Sequence, residues 1–381
     1  MQSLLQKLGQ WRAAVLSACA IIVALVWAFD CSRQVRRARG SLSAAGFTIG
    51  KPSRSEMAEM IAYTSEVVGL DTLSISDFSG IPGFEFGAIS QDLEVLAPFV
   101  QEMRCPTLVI TDDDAATLGM MSHLEDLLFD ATVLTDRGAR KLAGLRLLRR
   151  VEIRAPKVSD RGLSWLGDCN DLFSVRLSGT GVGDDLLAKL ATNTGLLFLN
   201  FADMLVSSNG IACLRGHPSL RYIYLSGTAI DDGIAVFVAD IRGLRSLDCA
   251  RTKIGDATCR ELGALPELTT LVLDGTELTD AGVLAILQRC RNLQKLSVNH
   301  CRVSAATFLS PNPWPNSLRH LEIKGVRLAA HDLERICEGH RELVVIGYTA
   351  REFDEPTNRR IAQIIGEHRR AIGQARTPGR P

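Results

Sequence analysis

The sequence is dominated by a pattern that restarts every 24 or 25 residues. One copy, residues 268–293, reads LTTLVLDGTELTDAGVLAILQRCRNL. Its leucines first alternate, as in a strand with one buried side, and then follow helical spacing after Thr279–Asp280. Neither element of a single copy can bury its apolar side alone, so successive copies must stack around a continuous core. The pattern therefore predicts one elongated α/β solenoid, although 381 residues would suffice for two ordinary domains.

Three positions of the pattern recur along the chain. The copies start at Leu124, Leu148, Leu172, Leu196, Leu220, Leu244, Leu268, Leu293, Leu318 and Leu343. An aspartate recurs where the helix begins, at Asp136, Asp160, Asp184, Asp232, Asp256 and Asp280. A threonine recurs after the strand, at Thr132, Thr180, Thr228, Thr252 and Thr276, with Cys301 in its place once.

We interpret the two recurring polar residues structurally. Each aspartate is expected to accept hydrogen bonds from the first-turn amides of its own helix, a cap that stabilises by about 1 kcal/mol. The alternative is a ladder of carboxylates that binds cations. The threonine hydroxyl is expected to bond main-chain groups in the turn after the strand. The acidic run Asp112–Asp114 is interpreted as a solvated turn instead of a cation site.

The motif L-x-x-L-x-L-x-x-T-x-[IVL]-x-D is almost complete at Leu172–Asp184, Leu220–Asp232 and Leu268–Asp280. Over residues 70–348 the chain resembles the leucine-rich-repeat family, in the cysteine-containing subclass with a Thr-or-Cys turn and an Ile-Thr-Asp-like helix start. The resemblance implies a curved right-handed βα horseshoe with a parallel sheet on its concave face. It also implies a non-catalytic interaction scaffold. The Ser208, Ala305 and Ala330 places lack the aspartate, so those copies depart from the pattern.

An uncharged apolar segment, residues 13–29, precedes the repeats. It is just long enough to span a bilayer, which takes about 17–25 residues. A retained single-pass membrane anchor is the favoured interpretation, and a cleaved signal peptide or a buried solenoid helix are the alternatives. The arginines that follow the segment, and the free cysteines, favour a cytoplasmic position for the repeats without deciding it.

The rest of the chain divides by composition and by helix start signals. The predicted divisions are 1–32 for the tail and transmembrane helix, 33–52 for a linker, 53–69 for an N-terminal capping helix, 70–349 for the solenoid, 350–373 for a C-terminal capping helix and 374–381 for a disordered tail.

The leucine-rich-repeat subclass that the chain resembles also occurs in F-box-type substrate adaptors of ubiquitin ligases, which is the alternative function. No F-box-like helical module precedes the repeats here, and only residues 53–68 are available to serve as a docking helix.

Composition excludes several functions. Lys+Arg and Asp+Glu both number 43, so no overall basicity favours nucleic acid. The ten cysteines follow neither disulfide-framework nor zinc-ligand spacing, and are interpreted as buried free thiols. The chain has no sequence motif of a hydrolase, kinase or nucleotide-binding site. We therefore predict no enzyme activity, no cofactor, no metal and no small-molecule substrate.

The predicted functional residues are the strand residues that alternate away from the core. Those assigned to a protein-binding site on the concave face are Arg150, Arg154, Arg176, Phe198, Asn200, Tyr222, Tyr224, Asp248 and Asp274. Phe198, Tyr222 and Tyr224 form an aromatic patch on two neighbouring strands, and exposed aromatics are enriched at binding hot spots. The alternative is that these aromatics only pack against one another. The partner is expected to be a protein, with membrane contact through the N-terminal segment.

Overall fold

The computed structural model describes part of the chain, namely residues 37, 48–50, 73–76, 97, 100–130, 133–179, 181–310 and 314–376. The predicted membrane segment, the predicted capping helix at 53–69 and the last residues of the predicted tail lie outside these ranges. None of the helices within them is long and apolar enough to cross a membrane.

The chain divides into two compact units. The first comprises Met1–Val133 and Arg137–Leu148, and the second Leu134–Asp136 and Arg149–Pro381. The first unit contains strands β1 (Thr48–Gly50), β2 (Leu73–Ser76), β3 (Val100–Val109) and β4 (Asp126–Asp130), and helix α1 (Asp114–Gly119). Helix α2 (Asp136–Lys141) follows along the chain, with a 3₁₀ turn at Leu142–Gly144.

Two features of the first unit differ from the prediction. Strand β1 lies inside the segment predicted to be a linker, and it pairs antiparallel with β2. Strand β3 lies within the predicted solenoid, yet its pairing with β4 shifts register after Cys105. The irregular register explains why the 24-residue pattern is weak in this part of the sequence. The acidic run is a turn that leads into α1, where the Asp114 carboxylate accepts from the Thr111 amide at 2.9 Å.

The second unit repeats one strand and one helical segment. The strands in its described residues are β5 (Arg150–Arg154), β6 (Ser174–Ser178), β7 (Phe198–Asn200), β8 (Tyr222–Tyr224), β9 (Ser246–Asp248), β10 (Thr270–Val272), β11 (Lys295–Ser297), β12 (His320–Glu322) and β13 (Val345–Gly347). Every strand pairs parallel with the next, with no register shift between neighbours. Parallel neighbours need a crossover connection, which the helical segments supply.

The crossover segments vary in length. The helices are α3 (Asp160–Leu163), α4 (Asp184–Leu190), α5 (Ser208–Ile211), α6 (Ala235–Ala239), α7 (Asp256–Leu262), α8 (Asp280–Arg289), α9 (Ala305–Leu309), α10 (Ala330–Gly339) and α11 (Glu355–Arg376). Short 3₁₀ turns occur at Ser164–Asp168, Ala212–Leu214, Asp232–Ile234 and Ala350–Glu352. The last helix, α11, contacts α10 and buries Ile361, Ile364 and Ile365.

The core of the second unit is built from the leucines that define the repeat. Leu172, Leu220 and Leu268 are all fully buried, as the stacking argument requires. The strand residues that alternate toward the core are buried with them, for example Val175 and Leu199. Burial of one leucine side chain stabilises by about 1.5–3 kcal/mol, and each copy depends on its neighbours for that burial. The prediction of an α/β solenoid-like fold with a parallel sheet is confirmed.

The recurring threonines Thr228, Thr252 and Thr276 occupy the turns after their strands, while Thr132 and Thr180 lie outside the described residues. The Thr228, Thr252 and Thr276 hydroxyls donate to the carbonyl oxygens of the residues three positions earlier, at 2.6–2.7 Å. These threonines are buried, so each bond satisfies a carbonyl that water does not reach. At the place where Cys301 replaces threonine, its thiol donates to the Leu273 carbonyl at 3.0 Å. The predicted main-chain role is confirmed for Thr228, Thr252, Thr276 and Cys301.

The recurring aspartates connect one copy to the next, which differs from the prediction. Each begins its helix, but its carboxylate accepts from the copy that follows. Asp184, for example, accepts from the Ser207 amide and hydroxyl at 2.8 and 2.5 Å. The helix of Asp184 itself has Gly183 at its N-cap, with no side-chain cap. The prediction that each aspartate caps its own helix is therefore wrong.

Asp232 makes four of these bonds between copies. It accepts from the amides of Gly255, Ala257 and Thr258 at 2.8, 3.3 and 3.1 Å, and from the Thr258 hydroxyl at 2.6 Å. Burial tends to raise the pKa of the Asp232 carboxyl, but these hydrogen bonds outweigh it and the pKa lies below its usual value. The recurring aspartate is thus a brace between neighbouring copies.

Candidate protein-binding face

The face of the second unit's sheet that points away from the core is called the outer face here. In β5 it carries Arg150, Glu152 and Arg154, which are exposed or half-buried, while the alternating Val151 and Ile153 are buried. The unshifted register continues this alternation through the following strands. All nine predicted site residues lie in the second unit, on the outer face or at its edge.

The aromatic patch consists of Phe198, Tyr222 and Tyr224. Phe198 is the direct strand partner of Tyr222. Its ring centroid lies 6.2 Å from that of Tyr222 and 5.2 Å from that of Tyr224, with both pairs tilted. The aromatics therefore do pack against one another, while 37% of Tyr222 stays exposed. Their mutual packing holds the rings in place and leaves an aromatic surface open to a partner.

Arginines surround the first half of the patch. The Arg176 guanidinium lies 5.1 Å from the Phe198 ring centroid and pairs with Glu152 at 3.0 Å. The Arg150 guanidinium lies 5.5 Å from the ring of Phe173, a residue just before β6 that sequence reasoning did not assign to the site. Contact with an aromatic ring holds each guanidinium in place beside the patch.

The predicted acidic members of the site are engaged by the protein itself. The Asp274 carboxylate accepts from the Ser297 hydroxyl at 2.6 Å, and from the Asn299 amide and side chain at 2.9 and 3.0 Å. The Asp248 carboxylate accepts from the Ala250 amide at 2.9 Å. The Asn200 side-chain oxygen accepts from the Ala202 amide at 3.1 Å. These three polar residues order the turns after their strands.

One row of residues at the start of the strands was missed. Arg149, Phe173, Leu197, Arg221 and Arg245 occupy equivalent positions, connected by backbone hydrogen bonds of about the same length. Leu197 is 40% exposed although it is apolar. Its exposure could have been found from the repeat, because a leucine directly after the buried Leu196 has no place in the core.

A second missed feature lies in the turns after the strands. In the turns after β6 to β12 one residue has positive φ, and these residues alternate between glycine and a larger residue: Gly179, Asp203, Gly227, Arg251, Gly275, His300 and Gly325. The Arg251 guanidinium reaches across Gly227 to both carboxylate oxygens of Asp203, at 2.9 and 3.1 Å. A Cβ on Gly227 would lie 2.1 Å from the Asp203 carboxylate, so glycine leaves room for this ion pair.

Two histidines of the second unit have internal roles. The His217 ring bonds the Asn193 carbonyl through Nε2 at 2.9 Å, while Nδ1 accepts from the Leu220 amide at 3.2 Å. The His340 ring stacks on Trp314 with centroids 3.5 Å apart, and burial lowers its pKa to about 4. Among the residues the structure describes, no group of three or more His, Cys, Asp or Glu side chains is placed to hold a metal ion.

Known structures share this fold. An internalin (inlF) from Listeria monocytogenes has a TM-score of 0.52 and 20% identity, covering 74% of this chain and 82% of that one. The yeast Rad7 and Elc1 complex has a TM-score of 0.50 and 16% identity, covering 91% of this chain and 96% of that one. No protein-family model matches the chain, and no curated protein matches its sequence. The neighbours are leucine-rich-repeat proteins, and the chain shares their α/β solenoid-like fold with a parallel sheet.

Proposed function

We propose that the chain is a non-enzymatic scaffold that binds a protein partner on the outer face of its second unit. The observation that carries this proposal is the aromatic patch, Phe198, Tyr222 and Tyr224, lying away from the core on adjacent strands. Aromatic side chains supply large contact areas at a small entropic cost, and they dominate measured binding hot spots. The absence of catalytic sequence motifs agrees with a binding role.

The patch can be tested by removing its rings. In the variant Tyr222→Ala/Tyr224→Ala, capture of partners identified by proximity labelling of the full chain should fall at least tenfold, a typical effect of losing a hot spot. The control is Leu205→Ala/Val236→Ala, which removes two exposed apolar side chains elsewhere in the unit (71% and 57% exposed). Thermal unfolding of each variant checks that the fold is kept. If the Tyr222→Ala/Tyr224→Ala variant is folded and captures partners as well as the unmodified chain does, the aromatic patch is not the binding site.

Membrane anchoring is a further part of the proposal and is supported by the sequence alone. The uncharged residues 13–29 are the proposed single-pass anchor, with a cytoplasmic repeat domain favoured. Alkaline extraction of membranes from cells expressing the full chain tests anchoring, and protease protection tests the side of the repeats. Release of the chain into the soluble fraction contradicts the anchor.

The alternative is an F-box-type substrate adaptor of a ubiquitin-ligase-like complex. One similar structure is a complex of Rad7 with Elc1, which suits a leucine-rich-repeat protein held in an assembly. This alternative requires a docking helix outside the repeats, for which residues 53–68 are the candidate. If the chain is an adaptor, deleting residues 53–68 should abolish capture of a ligase subunit. If it is a scaffold, the deletion should leave partner capture intact.

A further inference from the structure

On one side of the aromatic patch, the outer face already holds a cation between a ring and a carboxylate. The Arg176 guanidinium of β6 lies 5.1 Å from the Phe198 ring centroid and pairs with the Glu152 carboxylate of β5 at 3.0 Å. Glu152 and Arg176 are direct strand partners. The arrangement is favourable because the ring and the carboxylate attract the same positive charge.

The other side of the patch also has a ring and a carboxylate in neighbouring positions. Phe198 contacts Tyr224 from the β7 side, with ring centroids 5.2 Å apart. On the β9 side, the direct strand partner of Tyr224 is Asp248. Both Tyr224 and Asp248 are half-buried, so part of each is open to a partner. Because adjacent strands lie about 4.8 Å apart, a cation resting on the Tyr224 ring is within reach of the Asp248 carboxylate.

Two carboxylates give this end of the face a negative charge. Asp248 accepts from the Ala250 amide at 2.9 Å. Asp274, which follows β10, accepts from the Ser297 hydroxyl and from Asn299 at 2.6–3.0 Å. All of these donors are neutral, so they order the carboxylates without cancelling their charge. Within the ranges that the structure describes, neither carboxylate pairs with a cationic side chain.

The cationic side chains nearest to this end of the face are engaged or distant. Arg251, in the turn after β9, bonds both carboxylate oxygens of Asp203. Arg245, just before β9, pairs with Glu267 at 3.0 Å. Lys295 lies on β11, two strands from β9, and strand and residue spacing place its backbone about 12 Å from that of Asp248. The ring and carboxylate therefore lack the cation that Arg176 supplies on the other side.

We infer that the partner presents an arginine side chain whose guanidinium lies on the Tyr224 ring and pairs with Asp248. This inference rests on the proposed function and names the partner's chemistry. Arginine suits the position better than lysine, because its planar guanidinium stacks on rings and binds a carboxylate through two parallel hydrogen bonds. Asp274 adds to the attraction of a basic partner. Apolar side chains that flank the arginine cover Phe198 and Tyr222.

The experiment is a selection of random 12-residue peptides displayed on phage against the full chain in detergent micelles. The selected peptides should share an arginine beside at least one apolar residue. Synthetic copies are then measured with that arginine and with citrulline, which keeps its shape but carries no charge. Binding should weaken at least tenfold with citrulline, and at least tenfold in Asp248→Asn, as expected for a lost charge-assisted hydrogen bond.

The two changes should act on one contact. Asp248→Asn should therefore bind the citrulline peptide within twofold of the unmodified chain. Asparagine keeps a side-chain oxygen for the Ala250 amide, so the turn after β9 is expected to be kept. The matched control is Asp185→Asn, an equal change of charge on an exposed residue in the first turn of α4, which should bind the arginine peptide within twofold.

The outcomes separate this inference from the proposed function. Peptides that depend on Tyr222 and Tyr224 but carry no arginine overturn the inferred arginine and keep the binding face. The same conclusion follows if the effects of citrulline and Asp248→Asn simply multiply, or if Asp185→Asn weakens binding as much as Asp248→Asn does. Recovery of no peptides, or of peptides unaffected by alanine at both tyrosines, overturns the inference and the proposed function together.

Discussion

Removing the brace at Asp232 gives the sharpest test of how neighbouring copies are coupled. The Asp232 carboxylate accepts two bonds from Thr258, at its amide and its hydroxyl, and others from Gly255 and Ala257. Thr258 is 1% exposed, so water cannot replace the acceptor there. A buried polar group left without its partner costs about 1–3 kcal/mol. With two such groups on Thr258, Asp232→Ala should lower the free energy of unfolding by roughly 3 kcal/mol.

The neighbouring aspartate supplies the control. The Asp231 side chain accepts from the Gly233 amide at 2.9 Å and from the Ser208 hydroxyl at 2.6 Å, and it is exposed. Asp231→Ala should therefore cost about 1 kcal/mol, the value of an ordinary helix cap. Asp232→Asn keeps one carbonyl oxygen as an acceptor and should fall between the two alanine variants.

Urea unfolding measures the three free energies, and hydrogen exchange locates the loss. If Asp232 braces the next copy, the Gly255 and Thr258 amides should lose protection in Asp232→Ala. The unfolding slope must stay constant for the free energies to be comparable. An equal loss for the Asp231 and Asp232 variants would refute the brace. So would lost protection confined to residues 232–239, since that pattern belongs to a cap on the aspartate's own helix.

Three further results are expected in the second unit. Gly227 has φ +70°, and a Cβ there would lie 2.1 Å from the Asp203 carboxylate, so Gly227→Ala should lower the free energy of unfolding by about 2 kcal/mol. Gly216 has φ +66° but lies in open space, so Gly216→Ala should cost only about 1 kcal/mol. Equal losses for the two variants in urea unfolding would contradict the role of the ion pair. Burial lowers the pKa of His340 to about 4. The unfolded chain, whose histidine pKa is near 6.5, therefore binds more protons than the folded chain between pH 6.5 and about 4. Lowering the pH through that window should reduce stability by roughly 1 kcal/mol, a value discounted for the partial exposure of His340. This decrease in stability should be smaller in His340→Gln. A pKa near 6.5, measured by NMR for His340 in the folded chain, would contradict the prediction. Of the cysteines whose side chains the structure describes, Cys213 is exposed and the rest are buried, so mass spectrometry after native alkylation should find it modified first; comparable labelling of the buried thiols would contradict this.

The fold of the second unit could be predicted from one sequence because a solenoid is built from local periodicity. Leu172, Leu220 and Leu268 are buried for the same reason in every copy, so the spacing alone identified the strands, the helices and the parallel sheet. The outward strand residues followed from the same alternation, which is why Phe198, Tyr222 and Tyr224 were found.

What the tertiary structure decided is which polar atoms meet between copies. Asp184 begins its own helix, as the sequence indicates, yet its carboxylate lies closest to Ser207, 23 residues later. Periodicity assigns a residue to a place in its copy, but it does not say whether a side chain turns toward its own copy or the next. Asp274 is a second example. Alternation in the sequence predicted that its side chain points to the binding face, but its carboxylate accepts a hydrogen bond from the Asn299 amide of the next copy. Spacing along the chain determined the fold, and the distance between stacked copies determined the contacts.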